Sequence, residues 1–192
     1  MSLRVLLIDK ERGRSALLEQ ALQDLGYEVV ARLHSEHDLY NKVGMLNPDI
    51  IIIDIQSPDR DTLESMRTIS QDMPRPIVMF ADKGDSSLIE ASVRAGVSAY
   101  VVDGLAAGRL KPIMDVAIAR FREFHALRTE LDKMRVQLED RKYIDKAKGL
   151  LMRKRGITEE EAYHSLRKLA MDRNKRIGEM ARDLIALMDV LG

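Results

Sequence analysis

The chain has 192 residues, which is enough for one large domain or two small ones. It contains no cysteine, and this excludes disulfides, thiolate zinc sites and a cysteine nucleophile. Residues 1–110 carry 12 basic and 17 acidic side chains and residues 141–192 carry 13 and 8, so a polyanionic partner is expected at the C-terminal part.

Short β-branched runs alternate with amphipathic stretches through the first hundred residues. The runs predict strands at 4–8, 28–32, 49–53, 77–80 and 99–102, and the stretches predict helices near 12–25, 36–46, 61–72 and 85–95. This alternation is typical of a doubly wound parallel sheet, which binds ligands at the carboxyl ends of its strands. We therefore expect an α/β domain over residues 1–110. The chain enters the first strand directly after Met-Ser-Leu, so no signal peptide is expected and the protein is predicted to be cytoplasmic.

A heptad repeat of apolar residues starts at Leu110, and neither glycine nor proline interrupts the chain between Pro112 and Gly149. Proline is tolerated in a first helical turn, where we place Pro112. The repeat predicts a helix over residues 111–141 that forms a coiled coil in a homodimer, although a helix packed on its own sheet is the alternative. The predicted dimer seam consists of Leu110, Ala117, Phe124, Leu127, Leu131, Met134 and Leu138.

Three shorter helices are predicted after the heptads end. The first ends at Gly156, a residue type that often terminates helices in the left-handed conformation. The second opens at Thr158, and Glu161 completes a capping box. The third follows the apolar steps of three and four from Ile177 onward. We expect these helices to share one core in a small all-α domain over residues 128–189.

The first of these helices separates core from charge. Lys142, Lys146 and Arg153 recur at steps of four and seven, opposite the apolar residues. Such a stripe is either a solvated face or a phosphate-binding surface. Tyr143 and Tyr163 are the only aromatic side chains after residue 125, which argues against extended base stacking. We expect Tyr143 to be available for one base and Tyr163 to lie in the core.

The segments P-D-I-I-I-I-D, P-I-V-M-F-A and A-G-V-S-A-Y-V-V-D resemble the receiver domain of two-component response regulators. The resemblance implies a flavodoxin-like five-stranded sheet and a phospho-accepting aspartate, which falls on Asp54. It also places a metal-binding backbone carbonyl at Gln56 and the aromatic switch residue at Tyr100.

This chain departs from the receiver pattern at three positions of the pocket. Lys10 follows Asp9 where a second carboxylate belongs, Ala81 replaces a hydroxyl residue, and Asp103 replaces a cation. These changes remove groups that would hold Mg²⁺ and phosphoryl oxygens. We therefore expect a pseudo-receiver that docks proteins, and regulated phosphorylation of Asp54 is the alternative. At most weak Mg²⁺ binding at Asp9 and Asp54 is expected, and no other cofactor.

The stretch A-K-G-L-L-M-R-K-R-G-I-T-E-E-E-A-Y-H-S-L-R-K-L-A-M-D-R-N resembles the ANTAR domain, the RNA-binding module of AmiR- and NasT-type antiterminators. With the receiver, the whole chain is similar to the NasT type, which controls nitrate and nitrite assimilation. The resemblance implies a non-enzymatic homodimer that binds hairpin RNA in leader transcripts, together with a nitrate-sensing protein that sequesters it. The predicted RNA-binding residues are Lys142, Tyr143, Lys146, Lys148, Arg153, Arg167, Lys168, Arg173, Lys175 and Arg176.

The sequence also bears on two other classes of protein. A response regulator with a DNA-binding helix-turn-helix output is the alternative, since three helices and a basic surface would suit it. A catalytic output is disfavoured, because the C-terminal part has no glycine-rich phosphate loop, nucleophile–base pair or metal-ligand cluster.

Overall fold

The computed structural model describes residues 2–9, 12–34, 39–102 and 107–191, without the side chains of residues 12–15, 107 and 189–191. The chain divides into two compact units, an N-terminal unit (Met1–His125) and a C-terminal unit (Ala126–Gly192). The domain boundaries expected from the sequence stay predictions. Among the described residues, no helix combines the length and the apolarity that crossing a bilayer requires.

The N-terminal unit contains a parallel five-stranded sheet, as predicted. The strands follow the spatial order β2-β1-β3-β4-β5, the flavodoxin-like order. β3 is central, and Ile50, Ile51, Ile52 and Ile53 are fully buried because helices cover both faces of the sheet. The strands are β1 (Arg4–Asp9), β2 (Glu28–Leu33), β3 (Ile50–Ile55), β4 (Ile77–Ala81) and β5 (Ala99–Val102).

The helices also follow the predicted order. Asp59 and Asp85 cap α3 and α4 by accepting backbone N–H groups of the first turn. The predicted start of the second helix, at residues 36–38, lies outside the described residues. The helices are α1 (Arg12–Asp24), α2 (Leu39–Leu46), α3 (Arg60–Asp72), α4 (Ser86–Arg94), α5 (Ala107–Arg155), α6 (Glu159–Asp172) and α7 (Ile177–Leu191).

The first turns of α5 pack on the sheet of their own unit. Leu110, Met114 and Ala117 are fully buried in one core with Leu18 and Leu22 of α1. The assignment of Leu110 and Ala117 to a dimer seam is therefore wrong, and the alternative of a helix packed on its own sheet holds for this part. Pro112 is also not in the first turn, because it is the sixth residue of α5.

The C-terminal unit has one core shared by three helices, as predicted. Gly156 ends α5 with a φ of 66°, and Thr158 and Glu161 form the expected capping box at the start of α6. Because each of these signals is local in sequence, the turn between the two helices is set by its own residues. The buried core comprises Ala147, Leu151, Ala162, Leu166, Ala170, Met180, Ala181 and Ile185.

Candidate nucleic-acid interface and receiver pocket

Two carboxylates lie side by side at the carboxyl edge of the sheet. Asp9 of β1 and Asp54 of β3 are register partners, and only 1% and 5% of their surfaces are exposed. Ala81 ends β4 next to them and carries no hydroxyl. Lys10 and Asp103 lie outside the described residues, so their expected places in the pocket stay predictions.

The backbone carbonyl of Gln56 is already engaged. It accepts the N–H groups of Asp82 and Lys83 at 3.2 and 3.3 Å. A metal ion would have to compete with both donors for this oxygen. Within the described part of the chain, no cluster of three or more His, Asp or Glu side chains could hold a metal. These residues therefore fit poorly as a magnesium site of the receiver type.

Tyr100 is fixed to the loop after β4. Its hydroxyl donates to the carbonyl of Lys83 at 2.5 Å, and its ring packs against the sheet core. Burial, with a smaller contribution from the charge of Asp85, raises the pKa of Tyr100. Gly84 allows this closure, because a Cβ there would lie 2.3 Å from Val102 Cγ2. The aromatic residue thus has a partner that does not depend on a hydroxyl at position 81.

Three cations occupy the outer face of α5 in the C-terminal unit. Lys142, Lys146 and Arg153 are exposed, whereas Ala147 and Leu151 on the other side of the helix are buried. Among the residues that the structure describes, none of the three forms an ion pair. We call these three residues the cationic stripe. Their charges are available to an external anion.

Lys148 is placed differently from the cationic stripe. Its side chain is 16% exposed, and its Nζ lies 2.8 Å from Asp145 Oδ1 and 2.7 Å from Glu159 Oε1. Hydrogen bonding to Asp145, and then to Glu159, raises the pKa of Lys148, while the bond to Lys148 lowers the pKa of Asp145. The ammonium is thus neutralised within the unit. The structure thus uses Lys148 in a contact between α5 and α6, and its contact with RNA stays a prediction.

Tyr143 lies under a cation that the sequence analysis missed. The Arg182 guanidinium carbon is 5.0 Å from the centre of the Tyr143 ring, a cation–π contact. Arg182 also forms an ion pair with Asp140. Its place beside the apolar stripe of α7 was the only signal in the sequence. One face of Tyr143 is therefore occupied, although 39% of the residue remains exposed.

The remaining aromatic and basic residues lie on the surface. Tyr163 is 39% exposed, so the prediction that it lies in the core is wrong. It directly follows the buried Ala162 in α6 and lies at the edge of the buried face. Lys175 pairs with Asp183 at 2.6 Å. The exposed cations of α6 and the following turn are Arg167, Lys168, Arg173, Lys175 and Arg176.

An apolar row follows α5 beyond the buried turns. It consists of the five seam residues that the N-terminal core does not cover, and each is about half exposed or more. Large apolar side chains at heptad spacing on an exposed helix face are typical of coiled-coil surfaces. We define the apolar row as Phe124 (65% exposed), Leu127 (57%), Leu131 (49%), Met134 (54%) and Leu138 (62%).

Comparison with known proteins identifies both parts of the chain. The family profile of the response regulator receiver domain matches residues 5–115, and that of the ANTAR domain matches residues 132–185. The transcriptional regulatory protein PdtaR of Mycobacterium tuberculosis H37Rv is 32% identical over 185 residues, which are 95% of this chain and 90% of that protein.

Two further similarities cover parts of the chain. The nitrate regulatory protein of Klebsiella oxytoca is 38% identical over 85 residues, which are 44% of this chain but only 22% of that protein. The crystal structure of a receiver domain from a modulated diguanylate cyclase of Desulfovibrio desulfuricans has a TM-score of 0.56 at 23% identity. It covers 64% of this chain and 98% of that one, and it shows the fold alone. The chain therefore belongs to the response regulators in which a receiver domain is followed by an ANTAR domain.

Proposed function

We propose that this protein is a transcription antiterminator that binds hairpin RNA in leader transcripts through its C-terminal unit. The observation that carries the proposal is the cationic stripe. Its three cations are exposed, form no ion pair with any described residue, and lie within the residues that the ANTAR profile matches. Phosphate groups attract such charges and release counterions when they bind. The sparse aromatic residues favour recognition of hairpin shape and of a few loop bases.

The first test removes two charges of the stripe from the full-length protein. The ligand is a labelled hairpin selected from a library with a constant stem and a randomised loop. Replacing Lys146 and Arg153 by Ala is expected to weaken binding about tenfold or more and to flatten the salt dependence by roughly one unit per lost phosphate contact. Filter binding across a series of salt concentrations measures both quantities.

A matched control removes the same charge elsewhere. Arg60 and Arg67 are exposed on α3 of the N-terminal unit, and replacing both by Ala should leave the affinity and the salt slope unchanged. An unchanged slope in the Lys146 and Arg153 variant would show that these side chains do not contact phosphate. Competition by duplex DNA at fixed salt tests the helix-turn-helix alternative, since a DNA-binding protein would release the hairpin.

We propose that the receiver works without phosphorylation. Ala81 has no hydroxyl that could hydrogen-bond to a phosphoryl oxygen. The Gln56 carbonyl already accepts two backbone N–H groups, and the Tyr100 hydroxyl already donates to Lys83. A receiver switch needs a metal site, a moving hydroxyl and a cation. Phosphorylation favours the active conformation by only a few kcal/mol, so weakening all three groups would remove this preference.

The corresponding test replaces Asp54 by Asn, which keeps the shape but cannot accept phosphate. We expect hairpin affinity and antitermination in cells to change by no more than about twofold, with or without the inducing nutrient. Acetyl phosphate should leave the affinity of the parent protein unchanged. Loss of induction in a folded variant, combined with tighter RNA binding of the parent in acetyl phosphate, would contradict a pseudo-receiver.

Regulation by nitrate and by a partner protein completes the proposal. The local similarity to a nitrate regulatory protein supports a role in nitrate or nitrite assimilation. A nitrate-sensing protein that masks the receiver or the RNA-binding helices would supply control that phosphorylation does not. The apolar row supports a homodimer, which would present two equivalent RNA sites.

A further inference from the structure

Gly149 lies in the interior of α5, where its own unit gives no reason for a glycine. A Cβ built there would meet, among described atoms within 4 Å, only the Arg153 Nη1 at 3.8 Å, which is an ordinary contact. Glycine inside a helix lowers stability relative to alanine, because its backbone loses more freedom on folding. The packing of the C-terminal unit would therefore accept an alanine that would also stabilise the helix.

The residues around Gly149 are the cationic stripe. Lys142 lies seven residues before Gly149, Lys146 lies three before it, and Arg153 lies four after it. At these spacings all three share the face of Gly149 on the helix. Asp145 also neighbours this face, but its carboxylate binds Lys148. Like charges at Lys142 and Lys146, four residues apart, disfavour the helix further. Two local features that oppose helix stability thus coincide on one face, as is typical of functional surfaces.

We propose that Gly149 is a close-approach point, at which the sugar–phosphate backbone of the RNA lies directly against α5. This inference rests on the proposed RNA-binding function. Without a Cβ, the RNA strand reaches the helix backbone, and the three cations extend around it to the phosphate oxygens. A side chain at position 149 would hold the strand away and lengthen every one of these contacts.

The chemistry of this face favours a phosphodiester strand over other occupants. Tyr143, six residues before Gly149 on the same helix, has one ring face covered by Arg182, which leaves only its other face to a base. A second copy of the chain would bring the same three cations opposite one another across a symmetric contact, which is repulsive. An RNA backbone neutralises all three charges.

The test compares three variants of the full-length protein with the parent, using the same selected hairpin. Gly149→Ala is expected to bind it about tenfold more weakly, and Gly149→Leu more weakly still, because each added atom displaces the strand. Amide hydrogen exchange in the C-terminal unit should be slower in Gly149→Ala than in the parent, because the variant is more stable. Gly108→Ala is the matched control, since Gly108 also lies in α5 and no atom of the described residues is within 4 Å of an added Cβ. It should bind RNA like the parent.

The outcomes separate this inference from the function on which it rests. Weaker binding by a more stable Gly149→Ala of unchanged mass in sedimentation supports the close approach. Binding equal to that of the parent overturns it and leaves the RNA-binding function intact. A loss of affinity accompanied by a changed oligomeric state also overturns it, because the glycine would then serve a protein contact. A parent protein that binds no hairpin overturns both.

Discussion

Replacing Leu131 and Leu138 together by Asp is expected to convert a dimer into a monomer. Both residues belong to the apolar row, one heptad apart, and 49% and 62% of their surfaces are exposed in the single chain. In a coiled coil they would face apolar partners, and burying an unpaired carboxylate there costs several kcal/mol. Sedimentation equilibrium measures the mass directly.

The same variant should lose apparent RNA affinity on a transcript with two hairpins. A dimer binds the second hairpin at a high effective concentration, and a monomer does not. Affinity for a single hairpin should fall less than this, although Leu138→Asp places a carboxylate four residues before Lys142 of the cationic stripe.

A matched control places two aspartates on the same helix away from the row. Thr129 and Val136 are also one heptad apart and exposed, but they fall outside the seam positions of the repeat. Asp at both should leave the mass unchanged. If the Leu131 and Leu138 double variant remains dimeric, the apolar row is not the interface, and the N-terminal unit is the expected one.

Gly178→Ala is expected to destabilise the C-terminal unit by about 1–3 kcal/mol. Gly178 is buried at the start of α7, and a Cβ there would lie 2.2 Å from Cγ and 2.7 Å from Cβ of Asp140. Asp140 lies in α5, and its short side chain has little freedom to turn away. Relief of the clash therefore requires a movement of either the carboxylate or α7. Moving the carboxylate breaks its ion pair with Arg182, which lies over Tyr143.

Amide hydrogen exchange within α6 and α7 measures the loss of stability in Gly178→Ala. Exchange is preferred because the chain has two units, so a single unfolding midpoint does not report on one of them. Asp140→Ala removes the carboxylate, which is the nearest clashing group, and leaves only the Cβ contact at 2.7 Å. The double variant should therefore lose less stability than the sum of the two single changes. Additive losses would show that Asp140 does not constrain position 178.

The features predicted correctly from the sequence are those encoded locally. The β-branched run at residues 49–53 predicted a strand, and Thr158 with Glu161 predicted the start of α6, because each signal lies within a few residues. The alternation of strands and helices predicted a parallel sheet, and the receiver resemblance implied its flavodoxin-like type.

The errors arose where two contacts require the same spacing. Apolar residues at steps of three, four and seven suit both a coiled-coil seam and a helix packed on a sheet, so Leu110 and Ala117 were assigned to the wrong surface. Only the position of α5 on the sheet distinguishes the two. Charge neutralisation is equally a property of the folded unit, since Lys148 meets Glu159 eleven positions away.

The contacts of Arg182 and Tyr100 were beyond local patterns for the same reason. Arg182 reaches Tyr143 and Asp140 because α7 packs against α5, with a separation of 42 positions between the ion-paired residues. The family resemblance predicted Tyr100 as a pocket residue, but its hydrogen bond to Lys83 depends on the path of a loop and was not predicted.

The buried isoleucine segment of β3 also makes the chain prone to aggregation when the N-terminal unit unfolds. Ile50 to Ile53 form an uncharged β-branched segment, the type of sequence that assembles into intermolecular sheets once exposed. Asp49 and Asp54 flank this segment and act as gatekeepers against aggregation. Asp54 therefore protects the unfolded chain even if it never carries a phosphate. Selection for solubility during synthesis would retain an aspartate at this position without any signalling role.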